Sequence, residues 1–349
     1  MGKGKPGRQS LKDRLAKAPA HLRADAPEMG KSYREKRKRW ILAGLRVMRA
    51  PAVVALIVSM IFADKQFKFD PSDTIQHFES FAGDMSVTLG EIKESRKAVA
   101  YDIRYDDVGM NLLTSQGFLH ACYQAARLEI GSGSLAAPVC SSFVYLSRGT
   151  SMRSALRPCG DESVGFVKDG NQLLCRTLIV LMIAMSVSAW VVLEQPKGSL
   201  MERHPKFEEW ARMSNIVRQH VRMGNYGAPS QKPTWLYSNR PEIADILDFE
   251  QPSSADPSTR MVERYVDGRG VLRIKGGAHL KQSQSYPPWF GVALAKVRTR
   301  HADQIRREAK RTIRHNLKAA KSIPSNHRAS ASWIKQANLR PVLDFLTHG

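Results

Sequence analysis

The sequence predicts an α/β fold built on a mostly parallel, doubly wound sheet, with basic segments attached at both ends. Three observations carry this expectation. Strand-like and helix-like stretches alternate from Thr74 onward, which is the pattern of βα units feeding a parallel sheet. The chain has 349 residues, 42% of them apolar, enough for one large domain or two ordinary ones with a buried core. Its formal charge of +22 is concentrated outside the alternating region: residues 1–50 hold 15 Lys/Arg against 4 Asp/Glu, residues 292–349 hold 13 against 3, and the middle is near neutral.

Taken in order, residues 1–48 mix Lys and Arg with Ala, Gly and Pro and end in "REKRKRW", which reads as a largely disordered basic arm or a loose basic helix. The core is expected to begin after it, over 49–200. Within it "TIQHFESFAG" reads as a strand entering a turn, "VTLGEIKESR" as a helix, "KAVAYDIRY" as the next strand and "GFLHACYQAARLE" as a helix. "GSLAAPVCSSF" follows as a third strand running into a loop, and "NQLLCRTLIVLMIAMSVSA" as a buried helix feeding the strand "WVVLEQP". A series of this kind holds ligands at the carboxyl ends of its strands.

Over 201–285 the pattern loosens. "RMGNYGAPSQKPTWLYSNRPEI" is dense in Gly, Pro and aromatic residues, as turns and a small surface-reading subdomain would be. "STRMVERYVDGRGVLRIKGG" reads as a hairpin turning at Asp267-Gly268. "YPPWFGVALAKV" opens a closing helix of the core over 286–299, with prolines at its head where a missing N–H costs nothing. Residues 300–349 form a basic tail whose "DQIRREAKRTIRHNLKAAK" has helix formers and charges nearly all round.

The charge and a pI of about 10.1 point to an anionic partner, nucleic acid or an acidic membrane surface. The apolar runs at 50–63 and 178–193 both fall short of the ~20 residues of a membrane span, so no stable insertion is expected. Anchoring through 50–63 is the weakest reading weighed. Cys122, Cys140, Cys159 and Cys175 show no CxxC or close Cys/His pairing, so neither a metal site nor a disulfide framework is suggested. A reducing intracellular compartment fits, the nucleus in a eukaryote.

Two pairs of residues carry chemistry. Gly83 ends "HFESFAG" where the backbone must come close to a ligand, and Asp102 closes the next strand about twenty residues later, the spacing at which an acid grips ribose hydroxyls. Asp84, Met85 and Ser86 follow Gly83 in place of a GxGxxG continuation, so a nucleoside cofactor without phosphates is preferred to a dinucleotide. The plain alternative is an ordinary βα turn with a solvated Asp. Cys140 and Glu194 both sit at carboxyl ends of adjacent predicted strands. A thiolate and a carboxyl group in one crevice can add to a ring and protonate it, whereas separately each reads as a buried thiol and a strand-end ion pair.

In order, these segments resemble the cytosine-5 DNA methyltransferases, particularly their compact phage-like and protist-like branch, over 74–297. "FESFAG" resembles the cofactor turn, "APVCSSF" the Pro-Pro-Cys motif, "NQLLCR" the helix after the mobile loop and "LEQP" the Glu-Asn motif. "YGAPSQKPTWLYSN" is similar to a Lys-Pro-Thr segment, and "YPPWFGVALAKV" to the closing helix. The resemblance implies a class I methyltransferase fold, Rossmann-like, with a small target-recognition subdomain, and S-adenosyl-L-methionine as cofactor. It implies cofactor contacts from Phe81, Ala82, Gly83, Asp84, Asp102 and Ile103. Cys140 becomes the nucleophile toward cytosine C6 and Glu194 the partner of N3, with Arg148 and Arg153 of the following loop in supporting roles. Ser141, Ser142, Lys232, Thr234 and Asn239 become substrate contacts. Val139 stands where the family has proline and Ser141 where it has glutamine. No Gln-x-Arg-x-Arg strand is recognisable. The rival expectation is a catalytically silent nucleic-acid-binding protein on the same fold, and methylation of RNA cytosine is a close chemical relative.

Overall fold

The computed structural model describes residues 20–253, 255, 261–277, 280 and 282–322, with side chains from Tyr33 onward. The outer parts of the two expected arms, 1–19 and 323–349, lie outside the described residues. The rest is an α/β fold with a six-stranded, mostly parallel sheet flanked by helices, compatible with a Rossmann-like fold.

The elements follow in chain order. Helices α1 (Ala20–Val47) and α2 (Ala52–Ala63) precede β1 (Ile75–Ser80). Then come α3 (Ser86–Lys93), β2 (Ala98–Tyr101), α4 (Ser115–Arg127), β3 (Leu128–Ala136), α5 (Gly165–Ser186) and β4 (Trp190–Pro196). Helix α6 (Pro205–Met213) leads to β5 (Val217–Arg222) and β6 (Pro233–Ser238). A two-stranded hairpin, β7 (Val262–Val266) and β8 (Leu272–Gly276), precedes α7 (Pro288–Arg300) and α8 (Ala302–Ser322). The sheet order is β2-β1-β3-β4-β6-β5. Strands β1 to β4 are mutually parallel, while β6 runs antiparallel to both β4 and β5.

Side-chain alternation sends the two halves of each strand's residues to two separate cores. Phe78, Ala136, Val191 and Leu193 face α1, α2, α4, α5 and α6, while Leu135, Trp190, Val192 and Leu236 face α7 and α8. The apolar runs at 50–63 and 178–193 are explained by burial. Val54, Ile57, Val58 and Ile61 of α2 are at most 1% exposed, and α5 is covered along Leu178–Ala184. No helix among the described residues is long and apolar enough to cross a membrane.

Two stretches expected as basic arms are packed helices where they are described. In α1, Ile41 and Leu45 enter the core, and the buried Arg37 donates to the carbonyls of Ala126 and Leu128, satisfying the turn from α4 into β3. In α8, Ile305, Ala309 and Ile313 are buried at helical spacing, so its charges cover one side and not all round. Likewise β5 and β6, within the stretch expected to form a separate subdomain, complete the main sheet. Their Gly- and Pro-rich flanks are short helical turns around strand residues that pack on both faces.

Helices α3 and α7 cross at backbone contact: a Cβ on Gly90 would lie 2.4 Å from the Gly291 carbonyl, and one on Gly291 only 1.9 Å from the Ser86 carbonyl oxygen. Beside the crossing, the fully buried Glu91 accepts from Arg298 of α7 (2.6 Å) and from Arg96 (2.5 Å), with His77 at 3.2 Å. Burial alone would raise the Glu91 pKa. The Arg298, His77 and Arg96 charges reverse this and hold the carboxyl well below its usual range. Replacing Glu91 by Gln leaves two buried guanidinium groups without a counter-charge, which costs about 3–5 kcal/mol. Because the folded pKa is depressed, this stabilisation is full above the ordinary carboxylate pKa and is lost as pH falls through the folded value. Urea unfolding should therefore show a large gap between wild type and Glu91→Gln at pH 7 that narrows progressively in acid.

Candidate functional site

The carboxyl edge of the parallel strands gathers most of the residues expected to carry chemistry. After β1 the chain turns sharply through Phe81 (φ 61°), Gly83 (φ 54°) and Met85 (φ 59°). Ala82 is buried and its N–H donates to the Tyr101 carbonyl of β2 (3.2 Å). Asp102 stands at the end of β2 with its Oδ2 accepting from the Gly83 N–H and its Oδ1 from the Arg104 N–H, both 2.9 Å. Asp84 is exposed and pairs with Arg104 (2.8 Å), and Ile103 is half exposed beside it.

Cys140 follows β3 in the segment 137–140. Gln195 of β4 fixes this segment by donating to the Pro138 carbonyl (2.8 Å) and accepting from Ser199 (2.9 Å). The Cys140 carbonyl in turn accepts from Phe143 and Val144, which starts the next loop. Glu194, on β4, points to the same face as Trp190 and Val192. Lys232, just before β6, carries φ 25° and places Nζ 3.6 Å from Glu194 Oε1. The buried Thr234 hydroxyl donates to the Lys232 carbonyl (3.0 Å), holding that bend.

Two further residues complete the cluster. Glu79 of β1, fully buried, accepts from the Thr88 N–H and hydroxyl (both 2.6 Å) through Oε2. Tyr286, in the segment leading into α7, is tethered where its carbonyl accepts from Ser86 (2.7 Å), and Lys232 Nζ lies 5.8 Å from its ring centre. Its hydroxyl lies within electrostatic reach of Glu194, Glu79 and Cys140, with Glu194 the strongest of these influences. Glu79 Oε1, Glu194 Oε1 and the Tyr286 hydroxyl are all buried without a hydrogen-bond partner. Buried acceptors and donors in this state are costly, and the Lys232 ammonium beside Glu194 offsets part of that cost. Burial pushes the Glu79 pKa up to about 7 against the opposing Thr88 hydrogen bonds, and burial first, then Glu194, raises that of Tyr286 well above the ordinary phenol value.

Not every expected residue joins this edge. Arg153 turns inward, 2% exposed, donating to Ser142, Asn171 and the carbonyls of Pro158 and Val167 and stacking 3.8 Å from the Phe143 ring centre. It holds the loop after Cys140 against α5 and positions that loop; it does not reach toward the thiol, and Ser142 is consumed in the same clamp. Arg148 stacks on Tyr145 in the same loop (4.9 Å), and Ser141 is exposed. Asn239 bridges the Ala189 carbonyl and the Val191 N–H. Because β6 is antiparallel, that places Asn239 at the amino edge, five residues or roughly 17 Å along the strand from Thr234. Glu79, Gln195 and Tyr286 were not singled out in the sequence. The available signals were a glutamate near the carboxyl end of a strand and a tyrosine immediately before the paired prolines.

Among the described residues no group of three or more His, Cys, Asp or Glu side chains is arranged to hold a metal ion. No family model and no curated protein sequence matches the chain.

Cys140 is half-buried, and its thiol is pushed up to about 11 by burial and the Glu194 charge, against the opposing pull of Lys232. The thiol is therefore protonated at neutral pH, and its alkylation should quicken about tenfold per pH unit up to that value, since only the thiolate reacts. Iodoacetamide labelling read on the Cys140 peptide by mass spectrometry should show the profile moving to lower pH in Glu194→Gln and to higher pH in Lys232→Met.

Proposed function

We propose that the chain is an S-adenosylmethionine-dependent methyltransferase of class I, Rossmann-like type, acting on C5 of cytosine in DNA. The observation that carries the reading is the meeting of Cys140, Glu194, Lys232 and Tyr286 at one carboxyl edge around unpaired buried polar atoms. The Asp102 turn lies on the neighbouring strands.

The cofactor side fits the residues present. Each Asp102 oxygen accepts one backbone N–H, and an ionised carboxylate has about four acceptor sites, so a second lone pair on each oxygen remains for the two hydroxyls of a ribose. The turn at Phe81–Gly83 brings backbone beside it. When bound, the cofactor supplies an electrophilic methyl group. Asp102→Ala should weaken S-adenosylhomocysteine binding by about 1.5–3 kcal/mol, the value of hydrogen bonds to a charged group, and titration calorimetry would show it.

Cytosine C5 is a poor nucleophile until C6 is attacked. As the Sγ–C6 bond forms, the Cys140 thiol proton passes by way of the Glu194 carboxylate to N3, and the ring becomes an enamine nucleophilic at C5. After C5 accepts the methyl group, a water molecule takes the C5 proton, the C5–H electron pair forms the C5=C6 double bond as Sγ leaves as thiolate, and N3 returns its proton through Glu194, which restores the aromatic ring. Lys232 favours the thiolate and the carboxylate that remain. The Tyr286 hydroxyl, beside Glu194, is a donor for the exocyclic groups of the base. The loop held by Arg153 exposes Tyr145, Met152 and Leu156, the last 98% exposed, apolar surfaces suited to covering a base drawn out of its stack. The hairpin β7–β8 approaches this loop, with Arg264, Arg269 and Arg273 along it.

A silent nucleic-acid-binding reading is favoured by one observation, the thiol raised to about 11. One experiment separates the two. DNA carrying 5-fluorocytosine should become covalently joined to the protein in the presence of cofactor, because fluorine cannot leave as the C5 proton does. Cys140→Ser should abolish the adduct while leaving DNA affinity nearly unchanged. No adduct with any cytosine substrate would favour the silent protein, and an adduct with RNA alone would reassign the substrate.

A further inference from the structure

Helix α8 lies across the amino edge of the sheet, the edge opposite Cys140. Its buried side packs on β3 where Gly131 (φ 72°) lacks a side chain: a Cβ there would sit 3.3 Å from both Ala309 and Ile305. Glu308 pairs with Arg240, just past the end of β6 at the same edge (2.8 Å). Helix α1 packs against α8 and is fixed to the entry of β3 by Arg37.

The outer side of α8 is basic. Arg307, Arg311, Arg314, Lys318 and Lys321 are exposed at spacings of three and four, which places them on one stripe about 21 Å long. None makes an ion pair within 4.0 Å of a described residue, and the helix carries two acids, the exposed Asp303 and Glu308, which is held by Arg240 and lies within electrostatic reach of Arg311. Helix α1 adds exposed Lys36 and Arg39 against the single exposed acid Glu35 among its described side chains. Like charges at these spacings repel one another and destabilise a helix. Clustered cations without partners on an ordered helix are the footprint of a polyanion.

We propose that the outer face of α8, with α1 beside it, is a second nucleic-acid surface that grips the phosphate backbone at the edge of the sheet remote from Cys140. The chemistry favours a nucleic acid over a lipid surface. An interfacial helix needs an apolar face to insert, and that of α8, Ile305, Ala309 and Ile313, is already buried in the fold. What remains exposed is a ladder of cations with no large apolar side chain, suited to phosphates and blind to base sequence. The inference uses none of the Cys140 chemistry. With the catalytic site at the opposite edge, nucleic acid held here is a flanking or separate segment and not the stretch entering the site.

The test uses the full chain and a 20-base-pair duplex. Acetylation of lysines with and without saturating duplex, read by mass spectrometry, should show Lys310, Lys318 and Lys321 protected, with the protection lost in 0.5 M salt. The variant carrying Arg307→Gln, Arg311→Gln, Arg314→Gln and Lys318→Gln keeps the buried face intact. It should lose roughly 0.9 from the slope of log affinity against log salt for each contact removed, and roughly tenfold or more in affinity at 0.1 M salt. Lysines of α8 that stay reactive under saturating duplex, or a salt slope unchanged in the variant, would overturn the proposal. So would protection by phosphatidylserine vesicles and not by duplex. The 5-fluorocytosine adduct of Cys140 is read independently, so failure of either reading is visible without the other.

Discussion

The close crossing of α3 and α7 is the constraint on which the rest of the architecture depends. A side chain at either Gly90 or Gly291 would push the helices apart, and dispersion and hydrogen bonding fall away steeply over such distances. With the helices in contact, Glu91 meets Arg298 and Arg96, and the segment after the hairpin is pinned over β1 by Ser86 and the Tyr286 carbonyl. A residue some two hundred positions from β1 in the chain thereby becomes a wall of the site formed by β1, β3 and β4. The same crossing starts α8 along the amino edge, because it follows α7 with only His301 between them.

The site shows how the same sheet gives two carboxyl groups different characters. Glu79 is surrounded by apolar packing and the α3 N-terminus, and burial keeps its proton near neutrality. Glu194 has Lys232 beside it, a counter-charge that Glu79 lacks. A thiol, an ammonium and a phenol then sit within electrostatic reach of carboxyl groups on two strands, so each group's proton affinity depends on the others. The loop beyond Cys140 is built differently: its arginine is spent on internal carbonyls and a ring face, so the loop presents apolar side chains outward on a firm base.

Much of the fold was legible in the sequence because periodicity is a local property. The order of β1, α3, β2, α4, β3, α5 and β4, the turn of the β7–β8 hairpin, and the proline-headed α7 all follow from spacing of apolar residues and turn formers. Cys140 and Glu194 were legible as strand-end residues, and Asp102 by its distance from the Gly83 turn. Asn239 was misleading, since the resemblance groups it with Lys232 and Thr234, and only the antiparallel pairing of β6 with β4 carries it to the far edge. The basic composition of α1 and α8 hid Ile41, Leu45, Ile305 and Ile313, few in number but enough to seat each helix because the opposing surface is apolar.

By itself the sequence determined the α/β class, the run of strands whose carboxyl ends hold Asp102, Cys140 and Glu194, and the excess of positive charge at both ends, since these depend on residue type and spacing alone. Tertiary structure alone decided that Tyr286 and Glu79 stand with Glu194 and Cys140, that Arg153 faces inward, and that the basic C-terminal helix lies at the edge of the sheet away from the thiol. The physical reason is that burial and strand direction are set by contacts between segments distant in the chain, and a side chain's partner, charge and access to solvent are properties of those contacts.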